Sequence, residues 1–151
     1  MKRINKVLII LFMGIILTGC GSHKVYSIES FNNIIKNEKM AVYNPTKQLP
    51  SSAHIKEGSI GLNDNKWRIE YYIFDDEENA KKIYDDNQTL FAASDGINQQ
   101  YKVNQEHYSK YYAITNKEYM FVSRVKNSVL FAKIDKQYQS DIERIINKMG
   151  Y

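Results

Sequence analysis

Few side chains in this 151-residue sequence have the type and spacing that chemistry requires. There is one cysteine, Cys20, which excludes a disulfide framework and a cysteine zinc site and leaves a single thiol for covalent attachment. The histidines His23, His54 and His107 are far apart, and none belongs to a His-Glu-x-x-His pair of metal ligands. No serine sits in a Gly-x-Ser-x-Gly elbow, and the seven glycines form neither a phosphate-cradling loop nor a dinucleotide fingerprint. The run Asp75-Asp76-Glu77-Glu78 offers hard oxygen ligands for a cation. Consecutive residues at a helix start splay around its axis, however, and the calcium-loop glycine is missing, so the run reads as a helix cap. The chain is therefore expected to be neither an enzyme nor the holder of a metal or cofactor.

Cys20 stands apart because of what precedes it. Lys2, Arg3 and Lys6 lead into eleven uncharged residues, Val7 to Leu17, which is the layout of a secretory signal. A spanning helix needs about 20 apolar residues, so this run is too short to be one. It closes on Leu17-Thr18-Gly19-Cys20, which resembles the lipobox of bacterial prolipoproteins: an aliphatic residue, two small ones, then the cysteine to be lipidated. The resemblance implies cleavage before Cys20, a diacylglycerol thioether on its sulfur and a further acyl chain of the palmitate type on its amine. Two acyl chains hold a protein stably at about 0.8 kcal/mol per buried methylene, with no protein helix needed. The expected organisation is a signal peptide over 1–19, a lipidated tether over 20–26 and one domain over 27–151, on the outer side of the cell membrane.

Cleavage changes the charge balance. The precursor has 21 basic and 17 acidic residues, but residues 1–19 carry three basic and no acidic ones, which leaves 18 against 17. A near-neutral domain whose longest basic run is Lys81-Lys82 lacks the clustered cations that nucleic-acid binding needs, so nucleic acid is excluded as a partner.

The elements follow from periodicity. A helix is expected from a Ser27 cap, with Ile28, Phe31, Ile34 and Ile35 on one face. Strands are expected over 39–43, weakly over 53–62, and clearly over 66–74, where Trp67, Ile69, Tyr71 and Ile73 alternate with Arg68, Glu70, Tyr72 and Phe74. Asp75 with Glu78 reads as a capping box for a long helix that ends near Asp95-Gly96. A polar linker over 97–105 then leads to three hairpin strands, 107–114, 119–126 and 129–134, and to a last helix capped by Asp135 and ended by Gly150. The pattern predicts an α+β domain: a mainly antiparallel sheet of about five strands with about three helices packed on one face. From Trp67 to Tyr151 it resembles small Gram-positive-type lipoproteins of uncharacterised function, which implies a class and no mechanism.

Tyrosine is the remaining unusual feature: all twelve follow Cys20, with pairs at Tyr71-Tyr72 and Tyr111-Tyr112. A tyrosine ring offers flat apolar area with a polar tip, which suits peptide or glycan recognition. If the helices cover the Trp67 side of the sheet, the open side would carry Arg68, Glu70, Tyr72 and Arg124 as a candidate binding face. The chain is thus expected to be a non-enzymatic module that binds a protein, peptide or envelope glycan. The alternatives are a cell-envelope enzyme using carboxylate and tyrosine chemistry and an immunity or signalling accessory.

Overall fold

The computed structural model describes residues 23–64 and 66–151. The expected signal peptide and Cys20 lie outside the described residues. The described chain runs α1 (Ile28–Asn37), β1 (Ala41–Tyr43), β2 (Ile55–Asn63), β3 (Trp67–Phe74), α2 (Glu77–Ala92), β4 (Gln99–Asn104), β5 (Tyr108–Ile114), β6 (Glu118–Val125), β7 (Ser128–Asp135) and α3 (Gln139–Met149). Short 3-10 turns at 46–48, 51–53 and 136–138 complete it.

The class is α+β, and the sheet has seven strands in the order β1-β2-β3-β7-β6-β5-β4, every neighbour antiparallel. The expected count of about five is corrected chiefly by β4, which lies in the stretch read as a polar linker. Its side chains are almost all exposed, so apolar alternation is absent. What makes it a strand is backbone pairing with β5, from Gln99↔Ile114 to Asn104↔Ser109, at an edge where both faces can stay wet.

The helices do not share one face, and this too is a correction. Phe31 and Ile35 of α1 and Ile142, Ile145, Ile146 and Met149 of α3 pack on the side that carries Trp67, Ile69, Tyr71, Phe121 and Leu130. Ala80, Tyr84 and Phe91 of α2 pack on the opposite side, against Tyr111, Ala113, Met120, Val122 and Val129. The cause is topological. With antiparallel neighbours throughout, β3 inside the sheet and β4 at its edge run parallel, with three strands between them. The link between them must cross a face of the sheet, and α2 is that crossing.

Local chemistry sets the helix ends. The Ser27 hydroxyl accepts from the Ser30 amide at 3.1 Å. For α2 the cap is Asp76, whose carboxylate accepts from the Asn79 amide at 2.8 Å, one residue later than expected. Asp75 is still held in the sheet direction, its amide donating to the His54 carbonyl at 3.0 Å. Asp135 accepts from the Gln137 amide at 3.0 Å, but it caps the 3-10 turn that precedes α3. Gly150, in left-handed backbone with φ +66°, ends α3 as its position predicts. Close approach also shapes the pairing of α1 with β2: a Cβ on Gly61 would come within 2.7 Å of the Ile35 side chain.

The expected boundary between tether and domain moves toward the N-terminus. Val25 and Tyr26 are partly buried against the core, and the Tyr71 hydroxyl accepts from the Tyr26 amide at 3.0 Å while donating to the Tyr26 carbonyl at 2.9 Å. Residues 23–26 therefore belong to the fold.

A charged cluster joins α1 to α3. Glu38 accepts from Arg144 Nε at 2.9 Å and from Lys148 Nζ, and Arg144 also reaches Asp141 at 3.1 Å. The Lys148 hydrogen bond, opposed by burial and helped by Arg144, holds the Glu38 carboxyl below its ordinary value of 4.5. A depressed carboxylate stabilises the fold fully above its unfolded value, and that contribution disappears as pH falls through the folded one. Urea denaturation is therefore expected to show wild type losing stability below pH 4.5 more steeply than Glu38→Gln. Equal acid slopes would show that the cluster contributes nothing.

Candidate binding face

The candidate site is built on the half of the sheet that α2 leaves uncovered. Because α2 lies mainly over β5, β6 and β7 and meets β3 only near its Phe74 end, most of the same face of β1, β2 and β3 has no described helix on it. Residues of β3 two apart point the same way, so Arg68, Glu70 and Tyr72 line up along that face. Arg68 Nε donates to one Glu70 oxygen at 2.7 Å, and the Tyr72 hydroxyl donates to the other at 2.6 Å. The Glu70 side chain is only 11% exposed whereas Arg68 is 63% exposed, so the guanidinium is what the trio presents to solvent. Burial, with the Glu70 charge beside it, pushes the Tyr72 phenol well above its ordinary value. Tyr72 therefore keeps its proton as a donor. Both carboxylate oxygens being engaged, the trio can hold a surface in place rather than pass a proton along.

Tyr72 is positioned by β2. A Cβ on Gly58 would come within 2.7 Å of the Tyr72 ring, so glycine allows the two strands to meet there. The Gly58 amide donates to the Thr46 hydroxyl at 3.1 Å, which holds the 44–48 segment beside the ring. At the other end of β3 the face runs into a groove lined by Leu62, Arg68, Phe131, Lys133, Glu118 and Asp135. Lys133 lies 3.4 Å from Glu118, so both signs of charge flank an apolar floor. Exposed Tyr43 of β1 extends the face toward the edge.

Arg124 does not belong to this surface. The strand register sets it on the expected side, in the cross-strand row Tyr72↔Val129↔Arg124. That row passes beneath α2 before it reaches β6, and Arg124 is 2% exposed. Its guanidinium donates to the Lys126, Gln105 and Glu106 carbonyls at 3.2, 3.3 and 2.7 Å, and it lies 3.8 Å from the Glu77 carboxylate. It is a staple that fastens two turns. Its Nε and the Tyr84 hydroxyl are buried with no hydrogen-bond partner among the described residues. Burial, reinforced by Asp85 and opposed by Arg124, pushes the Tyr84 phenol up to about 12. Tyr111 is likewise buried under α2, while Tyr112 faces the other way.

The remaining chemistry-bearing residues are dispersed. Asp75 faces His54 at 3.8 Å, Asp76 caps α2 and Glu77 meets His107 at 2.9 Å, so the acidic run splays as its position requires. No group of three or more His, Cys, Asp or Glu side chains among the described residues is arranged to hold a metal ion. The expectation that no serine belongs to a Ser-x-x-Lys signature, as found in some acyl-transfer enzymes, is corrected at Ser123-Arg124-Val125-Lys126, which has that spacing. Here it crosses from a strand into a turn: Ser123 is fully buried and donates to the Ser109 carbonyl at 2.9 Å, while Lys126 is exposed. The pair is not assembled for catalysis.

Comparison with known proteins adds little. No family model matches the chain, and no curated protein matches it. Among solved structures, a GTP binding regulator from Thermotoga maritima is similar over 80% of this chain and 84% of its own, with 13% identity and a TM-score of 0.48. A likeness at that level bears on neither ligand nor activity.

The two arginines are expected to behave oppositely on truncation. Arg124→Ala takes the donor from three turn carbonyls and empties the space of a side chain that is 2% exposed, and it should cost about 3 kcal/mol of stability. Arg68→Ala, at an exposed pair, should cost under about 1 kcal/mol. Chemical denaturation of the two variants measures this, and similar losses would contradict the assignment of one as staple and the other as surface.

Proposed function

We propose that this chain is a membrane-anchored extracytoplasmic lipoprotein whose domain is a non-enzymatic binding module. The observation that carries the anchor is the sequence order itself: Lys2, Arg3 and Lys6, then the apolar run from Val7 to Leu17, then Leu17-Thr18-Gly19-Cys20. No described helix is long and apolar enough to cross a membrane, and a diacylated Cys20 requires none. Signal peptide 1–19 is removed in this reading, and the domain faces outside the cytoplasm.

The uncovered half of the sheet supports the binding role. It offers Arg68 as an exposed cation, Tyr43 and Tyr72 as aromatic area, and an adjoining groove with both signs of charge. Such a mixed, shallow surface fits a protein, a peptide or an envelope glycan better than it fits a reaction, which needs a secluded pocket with a group free to exchange a proton.

Metabolic labelling tests the anchor. Wild type is expected to incorporate palmitate and to partition with membranes, and Cys20→Ala to lose the label altogether and accumulate as precursor or be released. Undiminished labelling of Cys20→Ala would overturn the reading.

A further inference from the structure

Three of the four residues of the 23–26 segment contact the rest of the fold, and Lys24 lies over one of those three. The His23 ring stacks on Tyr108 with centroids 3.6 Å apart and 13° between planes, and its Nδ1 lies 2.9 Å from the Gly150 carbonyl. The Lys24 ammonium lies 5.0 Å from the centroid of the Tyr26 ring. Val25 packs on the core, and the Tyr26 peptide clasps the Tyr71 hydroxyl through both its amide and its carbonyl. The segment is thus docked at both ends of its described length, through His23 and through Val25 and Tyr26. Between His23 and Cys20 there remain three peptide steps, at most about 11 Å even when fully extended.

The dock lies at one end of the sheet. Tyr108 opens β5 opposite Val125 at the close of β6, and Val125 faces Ser128 at the start of β7. Tyr151, next to Gly150, places its hydroxyl 2.8 Å from the Ser128 hydroxyl. The groove beside Arg68 and Lys133 lies at the opposite end, where β3 begins and β7 closes. The eight residues of β7 span the gap, about 25 Å at roughly 3.3 Å each.

Resting on the lipoprotein reading above, we infer that the partner of the Tyr108 end is the bilayer itself. The short docked link holds the domain upright, with the β4–β5 and β6–β7 turns beside the headgroups and the Arg68 groove directed outward. Charge does not supply this orientation. Glu57, Asp75, Asp76, Glu77, Glu78 and Glu106 at that end are nearly matched by Lys24, Lys56, Lys110, Arg124 and Lys126, so anionic headgroups have no net cation to draw in, and the covalent link keeps the end close. The orientation would present the candidate binding face to molecules arriving from outside.

The full lipidated chain allows a direct test, since Cys20 is the sole cysteine and acylation occupies it. Fluorophores on Glu106→Cys and on Lys133→Cys, each in vesicles of phosphatidylglycerol and phosphatidylcholine, report their height by energy transfer to a headgroup-labelled lipid. The label at 106 is expected to lie nearer the surface by about 20 Å. Inserting ten Gly-Ser residues between Ser22 and His23 is expected to erase the difference. A difference that survives the insertion would assign the orientation to the surface and not to the link. Mass spectrometry of the N-terminal peptide separates the two failures. An unmodified Cys20 overturns the lipoprotein reading together with the orientation, whereas a lipidated chain whose two labels stand at equal height overturns the orientation alone.

Discussion

One connection decides the layout of this molecule. β3 lies inside the sheet and β4 at its far edge, parallel to it, so the chain must travel across β7, β6 and β5 to pass from one to the other. A loop laid over a sheet face would leave its backbone groups without partners, whereas a helix satisfies its own. α2 makes the crossing as sixteen residues of helix, buried through Ala80, Tyr84 and Phe91. What lies beneath it becomes interior, including Arg124 and Tyr111, and the same face beyond it has no described helix over it. The trio on β3, with Arg68 at its exposed end, exists because the crossing runs toward β4 and never toward β1.

The opposite face is closed by α1 and α3, and its polar content is concentrated at one node. Tyr71, Ser128 and Tyr151 hydroxyls meet there, Ser128 with Tyr151 at 2.8 Å and Tyr151 with Tyr71 at 3.3 Å, and the Tyr26 peptide completes the set. Burial pushes the Tyr71 and Tyr151 phenols above their ordinary values, so the protons that make these bonds stay in place. A buried network with every hydroxyl engaged specifies one arrangement of the segments that supply it. Those segments are the start of the described chain, β3, β7 and the residue after α3, which are distant in sequence.

Much of this was legible in the residues, and the failures have physical causes. α1, β3, the β5–β6–β7 meander and the glycine stop of α3 were readable because their signals are local: apolar spacing, a capping hydroxyl, a left-handed terminus. β4 was not, since an edge strand with wet faces has no alternation to read. The alternation of β3 correctly put Arg68, Glu70 and Tyr72 on one side, and the same rule put Arg124 there too. Which rows a helix covers depends on strand order, and strand order is a property of pairs far apart in the chain. Burial of a full guanidinium was invisible for the further reason that its partners are main-chain carbonyls, which have no sequence signature.

The pairing of β3 with β7 has a consequence in time. Glu70 lies opposite Phe131 and Tyr71 opposite Leu130, so the two halves of the sheet join only through residues about sixty positions apart. Closing so long a loop must precede any gain from the contacts it brings, and topologies dominated by such pairings fold slowly. Until the stretch around Leu130 is available, β3 has just one neighbour and is not joined to the strands that α2 covers. Under the proposed lipoprotein reading, in which the chain is threaded across a membrane as an extended strand, that delay is a convenience: the fold cannot complete itself before the crossing is nearly over.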